Sequence, residues 1–345
     1  MNLKKQKRKR IGLVDVAKIL SLSPSTISKA LNNSSDIAEE TKVRVKKACE
    51  KLGYRPNLLA KSLISNKSRI LGILVPDLRI SFFSEAVRGM YEEAKEKKYQ
   101  CIILVHDENE LVEKEKLEFL SDIGVDGILL NSIGSKNNFK LYKKFKDEGI
   151  KVVCWDRNVD ESLKYKSVKI NDVQASFELT SRIIKQNKKN ILFLGPISGS
   201  QLFSDRYLGY KMALEKNDIP FNKDLVRQTF RNSEDSYKTM LTLLDSGIRI
   251  DGIVSIGGLV TYGVGRALLE RNISIPKDVI LGDFGDNDIV YRLGIPFYTV
   301  FQNPYQLGKS STDLLIRMIE KKDKNESYSD IIIDYEILEK NFLYK

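Results

Sequence analysis

Residues 13–32, LVDVAKILSLSPSTISKALN, constrain the fold of this chain more tightly than any other segment. Their apolar and small side chains recur at the spacing that two short helices crossing over a tight turn require. The residues expected to be buried are Val16, Ala17 and Leu20 in the first helix, Leu22 in the turn, and Ile27, Ala30 and Leu31 in the second helix. This spacing predicts a helix-turn-helix.

The second helix of this motif is expected to present Pro24, Ser25 and Lys29 to solvent. In helix-turn-helix proteins the N-terminal part of the second helix enters the major groove of DNA, where its outward side chains contact base edges. A helix pair of this kind can also be an ordinary packing unit. The motif therefore indicates DNA binding only if other features of the chain agree with it.

The charge of the chain is concentrated around this motif. The whole chain of 345 residues has a formal net charge of +11. Residues 1–70 hold 17 Lys and Arg against 5 Asp and Glu, a net charge of +12, whereas the remaining 275 residues hold 40 basic and 41 acidic residues. A basic head on a nearly neutral body is typical of a polyanion-binding module joined to a domain with another role.

Further segments complete this head. The pattern AEETKVRVKKACEKL predicts a third helix over residues 38–52. Its buried face is expected to carry Val43, Val45, Ala48 and Leu52. Gly53 and Pro56 should end the helix, since proline restricts the residue before it. We expect a basic tail over residues 1–10, a helix-turn-helix domain over 11–56, and a hinge helix with a polar linker over 57–68.

From residue 69 onward, strand-like apolar runs alternate with longer amphipathic runs. The predicted strands are 70–75, 99–105, 127–130, 152–155, 190–194, 252–256 and 279–283, and the predicted helices are 83–97, 112–123, 139–147, 206–217, 233–246 and 259–271. This alternation predicts parallel strands joined by crossover helices. Because the segment exceeds the usual size of one core, we expect two doubly wound lobes. A ligand cleft should lie where the carboxyl ends of their strands face each other.

An enzyme is the main alternative for a core of this kind. The chain has a single histidine, His106, which limits Ser-His-Asp and Cys-His catalysis and histidine-based metal sites. The glycines over residues 258–263 have the spacing of a phosphate-binding loop, but Val264 stands where that loop needs lysine. The carboxylates that follow a predicted strand, and could sit at a cleft or cap the next helix, are Asp107, Glu108 and Glu110. We therefore expect no catalytic residue, no metal and no cofactor.

The location of the protein is predicted from what its segments lack. No apolar run reaches the roughly 18 residues of a membrane span, and the opening MNLKKQKRKRIGL has no hydrophobic region of a signal peptide. Cys49, Cys101 and Cys154 stand far apart in apolar surroundings, which indicates reduced packing residues. We expect a cytoplasmic protein with no membrane partner. An exported two-lobed binding protein is the alternative, and the basic head argues against it.

Several segments resemble one known family. DVAKILSLSPSTISKALN, AEETKVRVKKACEKLGYRPN and LAKSL resemble the DNA-binding head and hinge of LacI/GalR (lactose-repressor) regulators, and RILGILVPD, EKEKLEFLSDIGVDGILL, DRYLGYKMAL and TVFQNPYQLGKSSTDLL resemble their core. The resemblance implies a small all-α helix-turn-helix head and an α/β core of two doubly wound lobes, resembling a type I periplasmic-binding-protein fold. It also implies lobe boundaries of about 69–168 with 302–328 for the N-lobe, and 169–301 with 329–345 for the C-lobe.

The resemblance implies roles for residues of the head. Pro24, Ser25 and Lys29 match the positions at which family members read bases, and a lysine can donate to guanine O6 and N7. The positions that mostly hold phosphates are matched by Ser23, Thr26, Ser28, Asn32 and Tyr54. Leu63 matches a leucine that family members insert into the minor groove, where such a wedge unstacks a base step and bends the duplex.

The resemblance also implies an effector site between the lobes. The matching positions are Phe82, Phe83, Asp156, Asn171, Arg206, Phe230 and Gln302. Two stretches depart from the family pattern. Asp283-Phe284-Gly285-Asp286 replaces Gly-Tyr-Asp-Asn, which puts glycine where a ligand-binding aspartate is usual and leaves Asp286 nearby as a substitute. Leu259 follows Gly257-Gly258 where aspartate is expected.

Taken together, these features predict a transcriptional regulator, most simply a repressor, controlled by a small-molecule effector such as a sugar. A homodimer would place two heads on a palindromic double-stranded DNA operator, because two-fold proteins match two-fold sites. The effector would change the pose of the lobes and thereby of the hinges. Whether it releases or promotes DNA binding depends on which state it prefers, and both remain open.

Overall fold

The computed structural model describes residues 11–54, 67–229, 232–285, 287–320 and 328–341. The chain divides into two compact units, Met1–Ser68 and Arg69–Lys345. In the described ranges, no helix combines the length and the apolar character that crossing a membrane requires.

The head contains three helices around a small core. They are α1 (Leu13–Leu20), α2 (Pro24–Leu31) and α3 (Glu39–Leu52). The buried residues are Val16, Ala17, Ile27, Ala30, Val45 and Cys49, with Leu20, Leu22 and Leu31 partly buried around them. The predicted helix-turn-helix is confirmed.

The buried face of α3 was predicted incorrectly at two positions. Val43 is 45% exposed, whereas Cys49, which the helical pattern left out, is 6% exposed. Cys49 lies four residues after Val45 and so shares its face of the helix. Val43 lies only two residues before Val45, which rotates its side chain toward solvent.

Local hydrogen bonds fix the ends of the head helices. The Ser23 hydroxyl caps α2 by accepting from the backbone N–H of Thr26 at 3.0 Å. Pro24 occupies the first position of α2, where a missing N–H costs nothing. Arg44 on α3 donates from Nη2 to the carbonyl oxygen of Leu20 at 2.6 Å, which satisfies a carbonyl at the end of α1.

The first lobe of the core is built on an all-parallel sheet in the order β11-β5-β4-β3-β1-β2. The strands are β1 (Ile70–Val75), β2 (Gln100–Val105), β3 (Gly127–Leu130), β4 (Lys151–Trp155), β5 (Lys166–Lys169) and β11 (Ile331–Ile332). Its helices are α4 (Ser81–Glu96), α5 (Glu110–Asp122), α6 (Phe139–Asp147) and α12 (Pro304–Glu320). Strands such as β1 and β3 are apolar throughout because helices cover both faces of the sheet.

The second lobe repeats this plan. Its sheet has the order β12-β10-β9-β8-β6-β7, in which β10 and β12 are antiparallel. The strands are β6 (Ile191–Leu194), β7 (Val226–Arg227), β8 (Gly252–Ser255), β9 (Ile280–Phe284), β10 (Phe297–Phe301) and β12 (Glu336–Lys340). The helices are α7 (Asp172–Ile184), α8 (Gln201–Lys216), α9 (Ser233–Asp245), α10 (Gly258–Glu270) and α11 (Asp288–Tyr291). The two doubly wound lobes are therefore confirmed.

The chain crosses between the lobes in three places in the described part of the core. The crossings lie between β5 and α7, between β10 and α12, and between β11 and β12. The third crossing corrects a predicted boundary, because β11 pairs with β5 of the first sheet and the first lobe therefore extends past residue 328 to Ile332. A hinge of several segments at one level allows two lobes to rotate while each keeps its own core.

Candidate functional site

The outer face of α2 carries the residues predicted to contact DNA. Ser23, Pro24, Ser25, Lys29 and Asn32 are exposed. Thr26 and Ser28 are partly buried. The surface formed by these seven residues is called the α2 surface below.

Hydroxyl groups cluster at the N-terminus of the α2 surface. The Oγ of Ser23 lies 2.7 Å from the Oγ of Ser25 and 2.8 Å from the Oγ1 of Thr26. Clustered hydroxyls form a neutral surface that suits phosphate oxygens. The arrangement agrees with a backbone-contacting role for this end of the helix.

Lys29 is paired with a residue that the sequence patterns did not single out. Its Nζ lies 2.5 Å from Oδ2 of Asp36, and both side chains are about half exposed. Hydrogen bonds from Lys29 and Ser34 lower the pKa of Asp36 below its usual value. Any base that Lys29 contacts must therefore compete with Asp36 for its ammonium group.

Tyr54 is the remaining predicted head residue that the structure describes. It follows α3, is partly buried, and packs against the core of the head. Partial burial raises its pKa. Three predicted site residues, Leu63, Phe230 and Asp286, lie outside the described residues.

A cavity of about 480 Å³ lies between the two lobes of the core. The first lobe lines it with Pro76, Asp77, Arg79, Ile80, Phe82, Phe83, Asp107, Glu108, Asp156 and Arg157. The second lobe lines it with Leu202, Phe203, Arg206, Asn232, Ile256, Gly257, Gly258, Leu259, Val260, Phe284, Gly285 and Asn287, and Gln302 lies on the second crossing. Its volume and mixed lining are typical of a small-molecule site.

Arg206 is fixed in the wall of this cavity by three contacts. Its Nε donates to Oδ1 of Asp172 at 2.8 Å, and its Nη1 donates to the carbonyl oxygen of Ile256 at 2.9 Å. Its Cζ lies 4.0 Å from the ring centroid of Phe284. Helix α8 begins at Gln201, whereas the predicted helix began at Arg206 itself. Arg206 therefore stands in the second turn of α8, where the helix holds its stem.

The partner of Arg206 is a buried carboxylate. Asp172 is the first residue of α7, directly after the first crossing, and is 3% exposed. Burial raises the pKa of Asp172 to about 6 against the opposing effect of Arg206, and the negative charge of Asp156 adds to the rise. The pair therefore occupies a dry environment in which its geometry is specific.

The first lobe contributes a second buried arginine. Arg157 donates two hydrogen bonds to the Glu108 carboxylate, from Nη1 to Oε2 at 3.0 Å and from Nη2 to Oε1 at 2.7 Å. Asp156 beside it accepts from Nδ2 of Asn131 at 3.2 Å. Two parallel N–H···O bonds fix the orientation of both Arg157 and Glu108.

Aromatic rings form the apolar part of the first-lobe wall. Phe82 and Phe83 are both buried and both line the cavity. Their ring centroids are 5.2 Å apart in an edge-to-face arrangement, and Phe83 packs in the same manner against Trp155 at 6.1 Å. The two rings therefore pack in the core of the first lobe and also form part of the cavity wall.

Of two further residues predicted for the effector site, Asn171 and Gln302, only Gln302 lines the cavity. Asn171 does not line the cavity; it is exposed and caps α7 by accepting from the backbone N–H of Gln174 at 3.1 Å. An asparagine just before a helix is favoured for this capping role. Gln302 does line the cavity and is 3% exposed.

Several cavity residues were missing from the prediction. Asp77, Arg157 and Asn287 each follow the carboxyl end of a parallel strand, after β1, β4 and β9. A signal for them existed, because ligands of such sheets bind beyond the carboxyl ends of the strands. Asp107 and Glu108, whose place after a predicted strand is compatible with a cleft, do line the cavity. Glu110 instead accepts from Ser135 and Asn137 outside it.

Comparisons with known proteins agree with this architecture. Residues 12–57 match the family described as bacterial regulatory proteins, lacI family, and residues 71–323 match the periplasmic binding protein domain. The HTH-type transcriptional regulator RegA of Clostridium saccharobutylicum is 28% identical over 330 residues, which cover 95% of this chain and 98% of RegA. The ribose operon repressor of Halalkalibacterium halodurans is 29% identical over 309 residues, covering 89% and 90% of the two chains.

Solved structures share the same fold. The lac repressor dimer bound to operator and the anti-inducer ONPF has a TM-score of 0.82 at 19% identity, covering 97% of this chain and 100% of that one. The relatives named here are a transcriptional regulator and an operon repressor. With its helix-turn-helix head and its two-lobed periplasmic-binding-protein-like core, the chain belongs to the lacI family of bacterial transcriptional regulators.

Proposed function

We propose that this protein is a cytoplasmic transcriptional repressor whose effector is a neutral, polyhydroxylated small molecule of the sugar class, bound between the two lobes. The observation that carries the choice of ligand class is the charge state of the cavity, in which each arginine among the described lining residues already has a carboxylate partner.

The three arginines that line the described part of the cavity are each paired with a carboxylate. Arg157 is held by Glu108 and Arg206 by Asp172, as described above. Arg79 donates from Nη2 to Oδ2 of Asp77 at 2.7 Å. A phosphate or carboxylate ligand binds best where a guanidinium has charge to spare. The pairing therefore favours an uncharged ligand over a sugar phosphate.

The balance of formal charge leads to the same choice. The charged side chains that line the described part of the cavity are four acidic residues and three arginines: Asp77, Asp107, Glu108, Asp156, Arg79, Arg157 and Arg206. Their sum is −1, which opposes an anionic ligand. Neutral hydroxyl groups can both donate to the carboxylates and accept from amide and guanidinium N–H groups.

The apolar rings complete the fit. Phe82, Phe83, Phe203 and Phe284 line the cavity from both lobes. The C–H faces of a sugar ring are apolar and pack against aromatic rings, whereas its hydroxyls require polar partners. The relative named ribose operon repressor supports the same ligand class.

The head supports a role on DNA in a two-fold assembly. We propose that Lys29 and Ser25, with Pro24, read bases, and that the hydroxyls of the α2 surface hold phosphates. One helix reads too few base pairs for useful specificity, so a homodimer on a palindromic operator follows. The lac repressor, which shares the fold, has been solved as a dimer on its operator.

The switch follows from the three crossings. A ligand that contacts both cavity walls stabilises one relative pose of the lobes over others. In a dimer, the pose of the lobes would set the spacing of the two DNA-binding heads, and that spacing would set the affinity for the operator. The sign of the coupling is measured as the operator affinity with and without ligand.

The test uses the full-length protein. Selection from a random DNA library followed by footprinting should recover a palindromic site. Calorimetric titration should then show binding of a neutral sugar, with D-ribose and D-glucose compared against D-ribose 5-phosphate and D-glucose 6-phosphate as matched anionic probes. Enrichment of no DNA sequence would contradict the role on DNA. Binding of the phosphates alone would contradict the ligand class.

A further inference from the structure

The side chain of Asn287 occupies a position in the cavity wall that two glycines make possible. It is 3% exposed and follows β9 in the loop toward α11. A Cβ on Gly258 would lie 2.4 Å from the Cβ of Asn287, and a Cβ on Gly285 would lie 2.9 Å from its Nδ2. Any side chain at either glycine would therefore displace Asn287 from its place.

The orientation of the Asn287 amide follows from its one described hydrogen bond. Its Nδ2 donates to the carbonyl oxygen of Phe284 at 3.1 Å. A carbonyl can only accept, so the amide nitrogen must face Phe284 and the oxygen must face the other way. Among the described residues, Oδ1 of Asn287 is buried and has no hydrogen-bond partner.

A complementary group belongs to another residue that lines the same cavity. Nε2 of Gln302, on the second crossing, is also buried without a hydrogen-bond partner in the described part of the chain. Both side chains line the cavity, and a Cβ on Gly285 would lie 3.7 Å from Oε1 of Gln302. Asn287 and Gln302, which both line the cavity, thus each hold one buried uncharged polar atom, an acceptor and a donor, without a hydrogen-bond partner among the described residues.

We infer that Asn287 is a specificity-determining residue of the effector site, whose Oδ1 accepts a hydrogen bond from a ligand hydroxyl in a cradle kept open by Gly258 and Gly285. This inference rests on the proposed function, because it assumes that the cavity binds a hydroxylated ligand. A buried acceptor without a partner is costly, and a ligand hydroxyl removes that cost on binding. A ligand that lacks the hydroxyl leaves Oδ1 unsatisfied and is rejected.

The cradle also explains why an amide is used here. A carboxylate at residue 287 would direct an oxygen at the Phe284 carbonyl, where two acceptors would repel each other. It would also add negative charge to a cavity whose described charged residues already sum to −1. The amide supplies an acceptor toward the ligand and a donor toward the backbone, without charge.

The experiment measures ligand affinity of the full-length protein by calorimetry. The probes are D-ribose, D-glucose, maltose and cellobiose, together with the monodeoxy analogues of the sugar that binds. Asn287→Ala should weaken binding by about tenfold or more, the loss expected for one buried hydrogen bond. Asn217→Ala is the matched control, because Asn217 lies at the end of α8 in the same lobe and outside the cavity.

A second pair of variants tests the cradle without changing Asn287. Gly285→Ala and Gly199→Ala both place alanine at a φ near +100°, but only Gly285 has the Asn287 side chain within reach of the new methyl group. Both should lose stability from the strained backbone, Gly285→Ala more because its methyl group meets Asn287, and only Gly285→Ala should weaken ligand binding. Thermal unfolding without ligand provides the stability comparison.

The outcomes separate this inference from the proposed function. In the wild type one deoxy analogue should bind about tenfold more weakly than its parent, and Asn287→Ala should abolish that difference, which a purely structural role would not do. If the wild type binds a sugar and Asn287→Ala binds it within twofold, the inference is overturned and the proposed function stands. If the wild type binds none of the four sugars, both are overturned.

Discussion

Arg206 and Asp172 form a buried ion pair that joins helix α8 to the first crossing between the lobes, with 2.8 Å between Nε and Oδ1. Their side chains are 4% and 2% exposed. The guanidinium is therefore oriented before a ligand arrives, and the ordering cost is met in folding rather than in binding. The same pair links the cavity wall to the first crossing, one of the segments about which the lobes can rotate.

Removing Arg206 should affect both stability and ligand response. Arg206→Ala leaves Asp172 buried without its partner and should lower the free energy of unfolding by about 3–5 kcal/mol. It should also abolish the effect of the sugar on operator binding while operator binding itself remains. Urea unfolding followed by circular dichroism and an operator-binding titration measure the two effects.

The control for this prediction is the Asp172→Asn background. Arg206→Ala should cost at least about 1 kcal/mol less there, because no buried charge is left behind. An equal cost in both backgrounds would show that the pair contributes through packing alone. A normal sugar response in Arg206→Ala would place the ligand elsewhere.

The sequence predicted the lobes well because their central strands are unusual in composition. Strands such as β1 and β8 are short, apolar and bounded by polar turns. Such a sequence pattern is too short for a buried helix and therefore favours a buried strand. Strand β5, KSVK, and strand β12, EILEK, lie toward the sheet edges and carry charge. Their pairing depends on partners distant in the chain, which a local pattern does not contain.

The cavity was only partly predictable for a similar reason. Arg206 and Gln302 were found through their resemblance to family positions, and both line the cavity. The role of Asn287 depends on the absence of a Cβ at Gly258 and Gly285, two glycines that follow different strands. Only the fold brings these three residues together. Asn171 illustrates the opposite error, since a capping residue beside a site resembles a site residue in sequence.

Lys29→Ala should change base preference at one position in each operator half-site. A lysine that donates to a base contributes about 1–3 kcal/mol of discrimination there. Affinities for an operator series with single base-pair changes measure the effect. Lys51→Ala, which removes the same charge from the exposed end of α3, should weaken all sequences alike. The same uniform loss in Lys29→Ala would make Lys29 a phosphate contact.

Asp36→Asn should strengthen operator binding. The substitution removes the carboxylate that holds Lys29 Nζ at 2.5 Å and frees the ammonium group for DNA. Fluorescence anisotropy at several salt concentrations measures the gain. Glu50→Gln on α3 is the matched control, since it makes the same change in net charge away from Lys29. Equal gains in the two variants, or an undiminished gain in a Lys29→Ala background, would rule out competition between Asp36 and DNA.

The only histidine of the chain should make the first lobe sensitive to mild acid. His106 is fully buried; its Nδ1 accepts from the backbone N–H of Glu108 at 3.2 Å, and its Nε2 lies 3.0 Å from the carbonyl oxygen of Asn131. A carbonyl only accepts, so Nε2 carries the proton and the ring is neutral. Burial lowers the pKa of His106 below its usual value, against the attraction of Glu108 and Glu113.

The direction of the pH effect follows from this lowered pKa. The unfolded chain takes up a proton below about pH 6.5 while the folded chain resists it, so the free energy of unfolding falls as the pH drops from there toward the folded pKa. His106→Asn should make the free energy of unfolding fall less than in the wild type between pH 7.5 and 5.5. Urea unfolding followed by fluorescence of Trp155, which is buried in the same lobe, measures it.

Asp172→Asn provides a comparison of opposite sign. Because burial raises the pKa of Asp172 to about 6, its contribution to the free energy of unfolding is greatest at low pH and is lost as the pH rises through that value. The variant should therefore lose more stability than the wild type on acidification, whereas His106→Asn should lose less. Parallel profiles for the wild type and His106→Asn would show that His106 remains neutral in the unfolded chain or is already protonated in the fold.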